Sequence, residues 1–353
     1  MVEHRKTLPQ HHRSNEVGPS RSRVGSDRGR FEATVIRNRP ICREHYLLRL
    51  RIPPGLFPPT RPGQFVQLGC RPPDTAADFT ALMGRTFAAD PGRSLTLGQP
   101  ELCKQLSLLR RPFSLAGRGD DEQGTWIDII HRVIGAGTQW LSTLQESVAV
   151  DLIGPLGNWF ALPKEKSIAL LVGGGVGLPP MFYLAQQLAQ AGYQAIAFVG
   201  AASRDLLAVE LELNQIADPS GLPTHCTVEF GHNNFPTVIT TDDGTCGLRG
   251  LITDGLRGQL DRMDHQTLKH TIVYTCGPEA MMRTVAELAA TYAVACQVCL
   301  EQAMACGLGT CQSCIVRIEQ PHSSYDTAEN SRPWRYRLAC TDGPVFPAET
   351  VVW

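Results

Sequence analysis

The chain has 353 residues, of which 33 are basic, 34 are acidic and 42% are apolar. This length exceeds what one ordinary hydrophobic core requires, so two or three modest domains are expected. Because the net charge is close to zero, no global field attracts nucleic acid or an anionic membrane, and neither is predicted as a partner.

The first segment, residues 1–30, is polar and basic without periodicity, which predicts a disordered tail. It contains no apolar stretch of the kind found in secretory signals. The longest apolar run, near residues 168–185, is interrupted by glycines and a Pro-Pro pair, so no membrane span is predicted. With twelve cysteines and no export signal, we expect a protein of the reducing cytoplasm.

Residues 31–165 show short β-type runs separated by Pro and Gly: FEATVIRNRPI, HYLLRLRI, PGQFVQLGC, RRPFSLAG, WIDIIHRVIG and VAVDLIGPLG. Many short strands without helical patterns predict a small antiparallel barrel. A weakly patterned segment at about 71–108 is long for a strand connection, so we interpret it as an insertion.

Residues 166–295 follow a different pattern. The buried runs SIALLVGGG, AIAFVGAAS and TIVYTCG alternate with the helical segments LPPMFYLAQQLAQAG and PEAMMRTVAELAATY. This alternation predicts a doubly wound parallel sheet, a nucleotide-binding α/β domain. The fold class predicted is therefore a multidomain β plus α/β protein.

The last stretch, residues 296–353, is rich in cysteine and indicates a small metal-organised domain. Cys306, Cys311 and Cys314 have the spacing C-x4-C-x2-C, and Cys340 follows 26 positions later, as in plant-type [2Fe–2S] proteins. The alternatives are a four-cysteine zinc site and unrelated buried cysteines. Cys296 and Cys299 form a further C-x2-C pair, which we interpret as structural thiols.

Two glycines in this run, Gly307 and Gly309, support the cluster interpretation. They permit positive φ angles, which would direct backbone N–H groups toward the sulfurs.

Two short motifs suit a flavin. The run Arg110 to Ser114, RRPFS, offers a guanidinium for a pyrophosphate and a hydroxyl for a ring, although a buried structural Arg would give the same match. Gly137-Thr138 stand at a predicted helix start, where a phosphate or an ordinary helix cap would fit equally.

Two further motifs suit a nicotinamide nucleotide. The turn LVGGGVGLPP lacks the strict G-x-G-x-x-G spacing, and tight strand-to-helix packing is its other interpretation. Cys276-Gly277 in CGPEAMM end a strand, where they either approach a nicotinamide or merely form a turn. The candidate NAD residues are Gly173, Gly174, Gly175, Gly177, Cys276 and Gly277.

Taken in order, RRPFS, GAGT, LLVGGGVGLPPM, TDDGTCGLRGLITD, YTCGPEAMM, MACGLGTCQSC and CTDGPVF resemble the electron-transfer subunit family of class 1B dihydroorotate dehydrogenases. The resemblance covers roughly Phe31 to Phe346. It implies an FAD barrel, an NAD-binding domain and a [2Fe–2S] domain. The residues that it implies for FAD are Arg111, Pro112, Phe113, Ser114, Ile130, His131, Arg132, Gly137 and Thr138, and the cluster ligands it implies are Cys306, Cys311, Cys314 and Cys340.

The resemblance also implies a function and a partner. Electrons from dihydroorotate would pass from the FMN of a separate catalytic subunit through the cluster and FAD to NAD+, in pyrimidine synthesis, within a heterotetramer. The rivals are an equivalent subunit of a hydrogenase, a sulfide dehydrogenase or an NADPH:ferredoxin oxidoreductase, and a non-enzymatic zinc-stabilised adaptor. No ribose-reading residue separates NAD from NADP. The basic tail, the insertion and His131, which stands where many relatives have an aromatic residue, depart from the family pattern.

Overall fold

The computed structural model describes residues 28–71, 109–319 and 333–353. The tail predicted over residues 1–30 and the insertion predicted at about 71–108 lie almost entirely outside this part of the chain. The predicted domain boundaries therefore stay predictions, and the account below rests on strand pairing.

The first sheet contains strands from residues 29 to 156 and is entirely antiparallel. Its order is β4-β3-β7-β1-β2-β6-β5, so the sheet curves as a half-barrel with one unpaired edge at each end. Its strands are β1 (Gly29–Cys42), β2 (His45–Ile52), β3 (Phe65–Leu68), β4 (Arg111–Ser114), β5 (Gly117–Asp121), β6 (Gly124–Arg132) and β7 (Ala149–Leu156).

Side chains on the inner face of this sheet form its own core. Leu48, Leu50 and Ile52 alternate along β2 with more exposed residues, and they pack with Val66 and Leu68 of β3. This alternation is the period of a half-buried strand. Six of the seven strands coincide with runs predicted from the sequence, whereas β5, with the sequence GRGDD, carries no such pattern.

The second sheet is parallel except for its last strand, in the order β11-β10-β9-β8-β12-β13-β16. Its parallel strands are nearly continuous in buried residues, because helices cover both faces. The strands are β8 (Ile168–Gly174), β9 (Gln194–Ala201), β10 (Thr237–Thr241), β11 (Leu248–Arg249), β12 (Thr271–Cys276), β13 (Ala295–Cys299) and β16 (Val345–Pro347).

Helices lie on both sides of the second sheet. The helix Leu178–Gln190 packs with Leu171 on one face, while the helices Ile252–Asp261 and Glu279–Thr291 pack with Leu170 and Val172 on the other. In chain order the helices are α1 (Ala136–Ser142), α2 (Leu178–Gln190), α3 (Val228–Gly231), α4 (Ile252–Asp261), α5 (His265–Lys269) and α6 (Glu279–Thr291). The predicted combination of an antiparallel barrel-like sheet with a doubly wound parallel sheet is confirmed.

The cysteine-rich stretch leaves the second sheet after β13 and returns to it as β16, which pairs antiparallel with β13. Between them lies a two-stranded antiparallel sheet of β14 (Ile315–Glu319) and β15 (Trp334–Leu338). Cys314 and Cys340 flank this hairpin and are buried among residues of the sheet's helical layer. None of the helices in the described part of the chain has the length and apolar character of a membrane span.

Candidate flavin, nucleotide and cluster sites

A cleft of about 390 Å³ lies between the two large sheets, a volume in the range of small-molecule sites. One wall comes from the half-barrel: Phe65, Pro112, Phe113, Ser114, Ile130, His131, Arg132, Ile134 and Thr138. The other comes from the second sheet and the segment before the cluster cysteines: Val176, Pro179, Cys276, Cys299, Leu300, Glu301, Gln302, Met304 and Pro344. Seven of the nine residues predicted to bind FAD thus line one cleft, and Arg111 and Gly137 stand outside its lining.

The two adjacent arginines of the RRPFS motif have different surroundings. Arg110 is paired with Asp151, whose other oxygen accepts from Arg30 Nε at 2.8 Å. Arg111 is exposed, and its guanidinium contacts only the backbone carbonyls of Leu109 and Arg110, each at 3.4 Å, among the described residues. The structural-arginine interpretation therefore fits Arg110, while Arg111 retains the hydrogen-bonding capacity that a phosphate needs.

His131 is the buried polar group of the cleft. It is 1% exposed, its ring lies parallel to Tyr46 at 5.8 Å and edge-on to Phe113 at 6.1 Å, and neither ring nitrogen has a hydrogen-bond partner among the described residues. Burial, with a smaller contribution from nearby His45, lowers the pKa of His131 to about 4. The imidazole is therefore neutral at physiological pH and presents one donor and one acceptor at the cleft wall.

Thr138 and Arg132 are both engaged by neighbouring groups. Thr138 Oγ1 accepts from the backbone N–H of Ile134 at 2.9 Å and of Gly135 at 3.2 Å. The helix-cap interpretation thus accounts for this hydroxyl, although Thr138 also lines the cleft. Arg132 forms an ion pair with Glu44 at 2.8 Å, and Gly137 is buried inside α1.

A second cleft, of about 500 Å³, opens at the carboxyl ends of β8, β9, β10 and β12. This edge of a parallel α/β sheet is where nucleotides bind. Arg132, Val176 and Glu301 line both clefts, so the two cavities meet at these side chains. The remaining lining of the second cleft includes Gly174, Gly175, Gly200, Asp242, Thr253, Pro278 and Met281.

The glycines of the LVGGGVGLPP turn divide into two groups. A Cβ on Gly177 would lie 2.1 Å from the carbonyl oxygen of Cys276, and one on Gly173 would lie 2.8 Å from Leu178. These two glycines serve close packing. Gly175 has φ +55° and open space where a side chain would stand, and Gly174 lines the second cleft. Tight packing therefore accounts for Gly173 and Gly177, while Gly174 and Gly175 remain candidates for nucleotide binding.

The start of α2 supplies fewer backbone donors than a usual helix terminus. Pro179 and Pro180 occupy its first turn and carry no N–H. Donors for a phosphate at this turn would therefore come from residues 175–177, which form a single 3-10 turn before the helix.

Cys276 lines the first cleft, Pro278 lines the second, and Gly277 between them lines neither. Cys276 pairs in register with Cys299 on β13, and both thiols are buried and line the first cleft. The hydrogen bond with Cys299, together with burial, raises the pKa of Cys276 well above its usual value, so it is a neutral thiol. Gly277 has φ +149°, a backbone conformation that disfavours a side chain.

The cluster cysteines lie on a tight loop and on one turn beyond β15. Cys306 Sγ accepts the backbone N–H groups of Leu308 and Cys311, each at 3.4 Å, and Gly307 and Gly309 have φ +68° and +87°. The glycines thus turn N–H groups toward a sulfur, as predicted. Such donors suit a thiolate or a cluster sulfur.

The four thiols form two neighbouring pairs, Cys306 with Cys311 and Cys314 with Cys340. Hydrogen bonds from Ser313, with the neighbouring Cys306, lower the pKa of exposed Cys311 to about 6. Burial and adjacent Cys314 raise the pKa of Cys340 to about 12. Within the described ranges no three His, Cys, Asp or Glu side chains are already positioned as a metal site, so which residues ligate iron stays a prediction. The donor set of four sulfurs and the N–H groups of the loop fit an iron–sulfur cluster.

Apart from Cys276, the residues of the second wall of the first cleft were not predicted from the sequence. Val176 stands inside the glycine-rich turn, and Glu301 lies two residues after the end of β13, at the carboxyl end of a parallel strand. A residue just after a parallel strand is a candidate for ligand binding. The sequence pattern, however, assigns β13 to the cluster domain and not to the parallel sheet. Cys299, interpreted as a structural thiol, is buried as expected and also lines the cleft.

Comparison with known proteins identifies two regions of the chain. Residues 301–352 match the iron–sulfur cluster binding domain of dihydroorotate dehydrogenase B, and residues 171–287 match the oxidoreductase NAD-binding domain. The chain is similar in fold to an NADH-dependent reduced ferredoxin-NADP oxidoreductase, with a TM-score of 0.63 and 24% identity over 91% of this chain and 90% of that one. It also resembles a ferredoxin reductase of carbazole 1,9a-dioxygenase, with a TM-score of 0.51 and 17% identity over 76% of this chain and 67% of that one.

Relatives with higher identity carry one common description. The dihydroorotate dehydrogenase B (NAD(+)) electron transfer subunits of Bacillus cereus and Bacillus anthracis are each 32% identical over 248 residues, which is 69% of this chain and 81% of theirs. The resemblance noted in the sequence is thereby confirmed. The chain belongs to the family of dihydroorotate dehydrogenase B electron transfer subunits, which are oxidoreductases.

Proposed function

We propose that this chain carries electrons from the FMN of a dihydroorotate dehydrogenase catalytic subunit, through its own [2Fe–2S] cluster and FAD, to NAD+. The observation that carries the proposal is the shared wall of the first cleft. Leu300 and Met304, which lead into the cluster loop, line the same cleft as the RPFS strand. The segment that precedes Cys306 is therefore in contact with the space assigned to the flavin.

The residues suit the division of chemistry among the three cofactors. A cluster passes one electron at a time and nicotinamide accepts a two-electron hydride, so a flavin between them reconciles the two. Oxidation of dihydroorotate releases two electrons and two protons. NAD+ takes up both electrons and one proton, and the other proton goes to solvent. We assign FAD to the first cleft and NAD+ to the second, and Val176 and Glu301 lie where the two meet.

Within this arrangement the chain binds and orients the cofactors, and it excludes water from them. Arg111 holds the FAD pyrophosphate, the strand Pro112–Ser114 and His131 hold its ring system, and Gly174 and Gly175 admit the NAD+ phosphates close to the backbone. Cys306, Cys311, Cys314 and Cys340 ligate the cluster. The buried side chains of Cys276 and Cys299 form part of the wall of the first cleft, and Cys276 adds no charge there because its thiol is neutral.

The proposed partner is an FMN-containing catalytic subunit, in a heterotetramer of two catalytic and two electron-transfer chains. Support comes from the relatives, which are described as electron transfer subunits and so work with another chain. The cluster loop is a suitable contact, because Cys311 and its neighbours Gln312 and Ser313 are exposed.

The decisive experiment mixes the anaerobically purified protein with the FMN-containing catalytic subunit from the same organism and follows NADH formation from dihydroorotate. We expect NADH only when both chains are present, and none when either is omitted. If the protein holds flavin and cluster and still yields no NADH, the dihydroorotate assignment fails. The same protein would then be tested with hydrogenase, sulfide dehydrogenase and ferredoxin partners.

A further inference from the structure

Gln67, on β3, is a completely buried glutamine on the outer face of the half-barrel. Side chains alternate along a strand, so Val66 and Leu68 point into the barrel core, while Phe65 and Gln67 point to the opposite face. Phe65 on that face belongs to the same hydrophobic cluster as Cys314 and Cys340 of the cluster region. Gln67 therefore faces the same region.

The carboxamide of Gln67 has no hydrogen-bond partner in the part of the chain that the structure describes. Both Oε1 and Nε2 are buried and unsatisfied, although the residue is 0% exposed. An unsatisfied buried amide is destabilising, so such groups are normally paired. Gln64, three residues earlier, follows that rule: its Oε1 accepts from the backbone N–H of Arg61 at 2.9 Å and its Nε2 donates to the carbonyl of Gly157 at 3.2 Å.

The carboxamide lies directly against the cluster loop. A Cβ placed on Gly307 would be 2.5 Å from Gln67 Nε2, so the amide nitrogen fills the space beside the residue that follows Cys306. A side chain at position 307 would overlap the amide unless Gln67 moved, so glycine suits this close approach. The backbone of Gly307, at φ +68°, independently favours glycine.

On its other side, Gln67 belongs to the flavin-facing part of the barrel. Its register partner on β4 is Pro112, and its same-face neighbour Phe65 pairs with Ser114 and lines the first cleft. One buried amide thus stands between the strand assigned to FAD and the loop assigned to the cluster.

We propose that Gln67 is a positioning residue that donates an amide N–H to sulfur of the bound cluster on its Cys306 side. This inference rests on the proposed function. Two backbone N–H groups already point at Cys306 Sγ, and Gln67 supplies a side-chain donor from the flavin side. Hydrogen bonds to cluster sulfurs raise the reduction potential, because the reduced cluster carries more negative charge. Gln67 therefore favours electron entry into the cluster.

The test is a redox titration of the full-length holoprotein, with the cluster followed by EPR and the flavin by absorbance. Gln67→Leu removes the donor, and we expect the equilibrium between reduced and oxidised cluster to shift about tenfold toward the oxidised form, which is about 59 mV for a one-electron couple. The flavin potential should stay at its wild-type value. Gln64→Leu is the matched control: it removes a buried amide satisfied by backbone groups, and it should leave the cluster potential unchanged.

An unmoved cluster potential in Gln67→Leu, with a normal cluster spectrum, would overturn the inference. If that variant does not retain its cluster, Gln67→Met, which is unbranched and carries no N–H, takes its place with the same expectation. A second measurement compares the wild-type protein with Gln67→Met in D2O. The backbone N–D groups of Leu308 and Cys311 should couple to the reduced cluster in both, and the wild type should show one further coupled deuteron. Identical sets of couplings in the two proteins would also overturn the inference. If the wild-type protein binds no cluster, the proposed function is wrong. If the cluster is intact but its potential is the same in the Gln67 variant and the wild type, only the role of Gln67 is wrong.

Discussion

Asn158 joins the end of the half-barrel to the loop that carries Cys340, through reciprocal hydrogen bonds with Val345. Its Nδ2 donates to the Val345 carbonyl at 2.8 Å and to the Asp342 carbonyl at 3.0 Å, and its Oδ1 accepts from the Val345 N–H at 2.8 Å. One side chain thus holds the loop between Cys340 and β16 to the half-barrel, across 187 positions of sequence.

Asn158→Ala should loosen this attachment. Loss of two partly buried hydrogen bonds and one exposed hydrogen bond to backbone groups predicts a free energy of unfolding lower by about 1–3 kcal/mol, and faster cluster loss. Thermal unfolding and the rate of iron release to a chelator measure both effects. Asn233→Ala, which removes one long hydrogen bond of 3.4 Å, is the control. Equal iron release from Asn158→Ala and wild type would show that the attachment does not protect the cluster.

The two arginines of the RRPFS motif should respond differently to removal. Arg111→Ala deletes the exposed guanidinium assigned to the FAD pyrophosphate, and loss of about 1.5–3 kcal/mol predicts an FAD Kd higher by about ten- to a hundredfold. Arg110→Ala removes a guanidinium already paired with Asp151, which keeps Arg30, so FAD affinity should stay near wild type. Flavin fluorescence on dilution measures both. Similar losses in the two variants would refute the assignment to Arg111.

The cluster ligands are tested by Cys311→Ser. A thiolate is replaced by a weak ligand on an exposed loop outside the half-barrel, so we expect loss of the cluster's visible absorption with most FAD retained. Iron and flavin content per chain are the measurements, and Cys246→Ser, at a partly exposed thiol on another loop, is the control. Iron content at the wild-type level would rule out Cys311 as a ligand.

The junction of the two clefts is tested at Val176. This side chain is 39% exposed, so Val176→Trp adds bulk to the junction without overfilling a core. An ångström-scale displacement of reacting groups is costly, and we expect reduction of FAD by NADH to slow at least tenfold. Stopped-flow absorbance gives the rate, and Val176→Ala provides a variant with no added bulk. An unchanged rate in Val176→Trp would place the nucleotide elsewhere.

Because His131 is buried, we expect the free energy of unfolding to depend on pH. Burial lowers its pKa to about 4, whereas an unfolded histidine has a pKa of about 6.5. Between these values the unfolded chain binds a proton that the folded chain does not, so stability rises with pH across this window and levels off above it. The shift corresponds to about 3 kcal/mol at most.

His131→Phe should remove that contribution, and the difference between wild-type and variant thermal midpoints should change between pH 4 and pH 6.5 and stay constant above. His232→Gln, at an exposed histidine, should follow the wild type throughout. A parallel pH profile for His131→Phe and wild type would show that His131 takes up its proton without cost in the folded protein.

Much of the fold follows from local pattern, because period-2 alternation and continuous apolar runs mark strands wherever they are long enough. Strands β13 and β16 of the second sheet were not predicted from the sequence. β16 has only three residues, and the cysteines of β13 indicated a metal-binding domain instead of a strand. The residues that the half-barrel contributes to the first cleft were predicted from the flavin motifs. Gln67 could not be recognised, because its significance depends on Gly307, 240 positions later, lying against its amide.

The pairing of β13 with β16 determines how the cluster region is tethered. The chain departs from one strand and comes back along its immediate neighbour, so the region is an excursion with both ends fixed to a single rigid sheet. A module on one flexible linker would swing and alternate between near and far positions. A module closed at both ends has less freedom to move relative to the sheet that holds it. Under the proposed function, electron transfer through the cluster would then not require this region to leave the sheet.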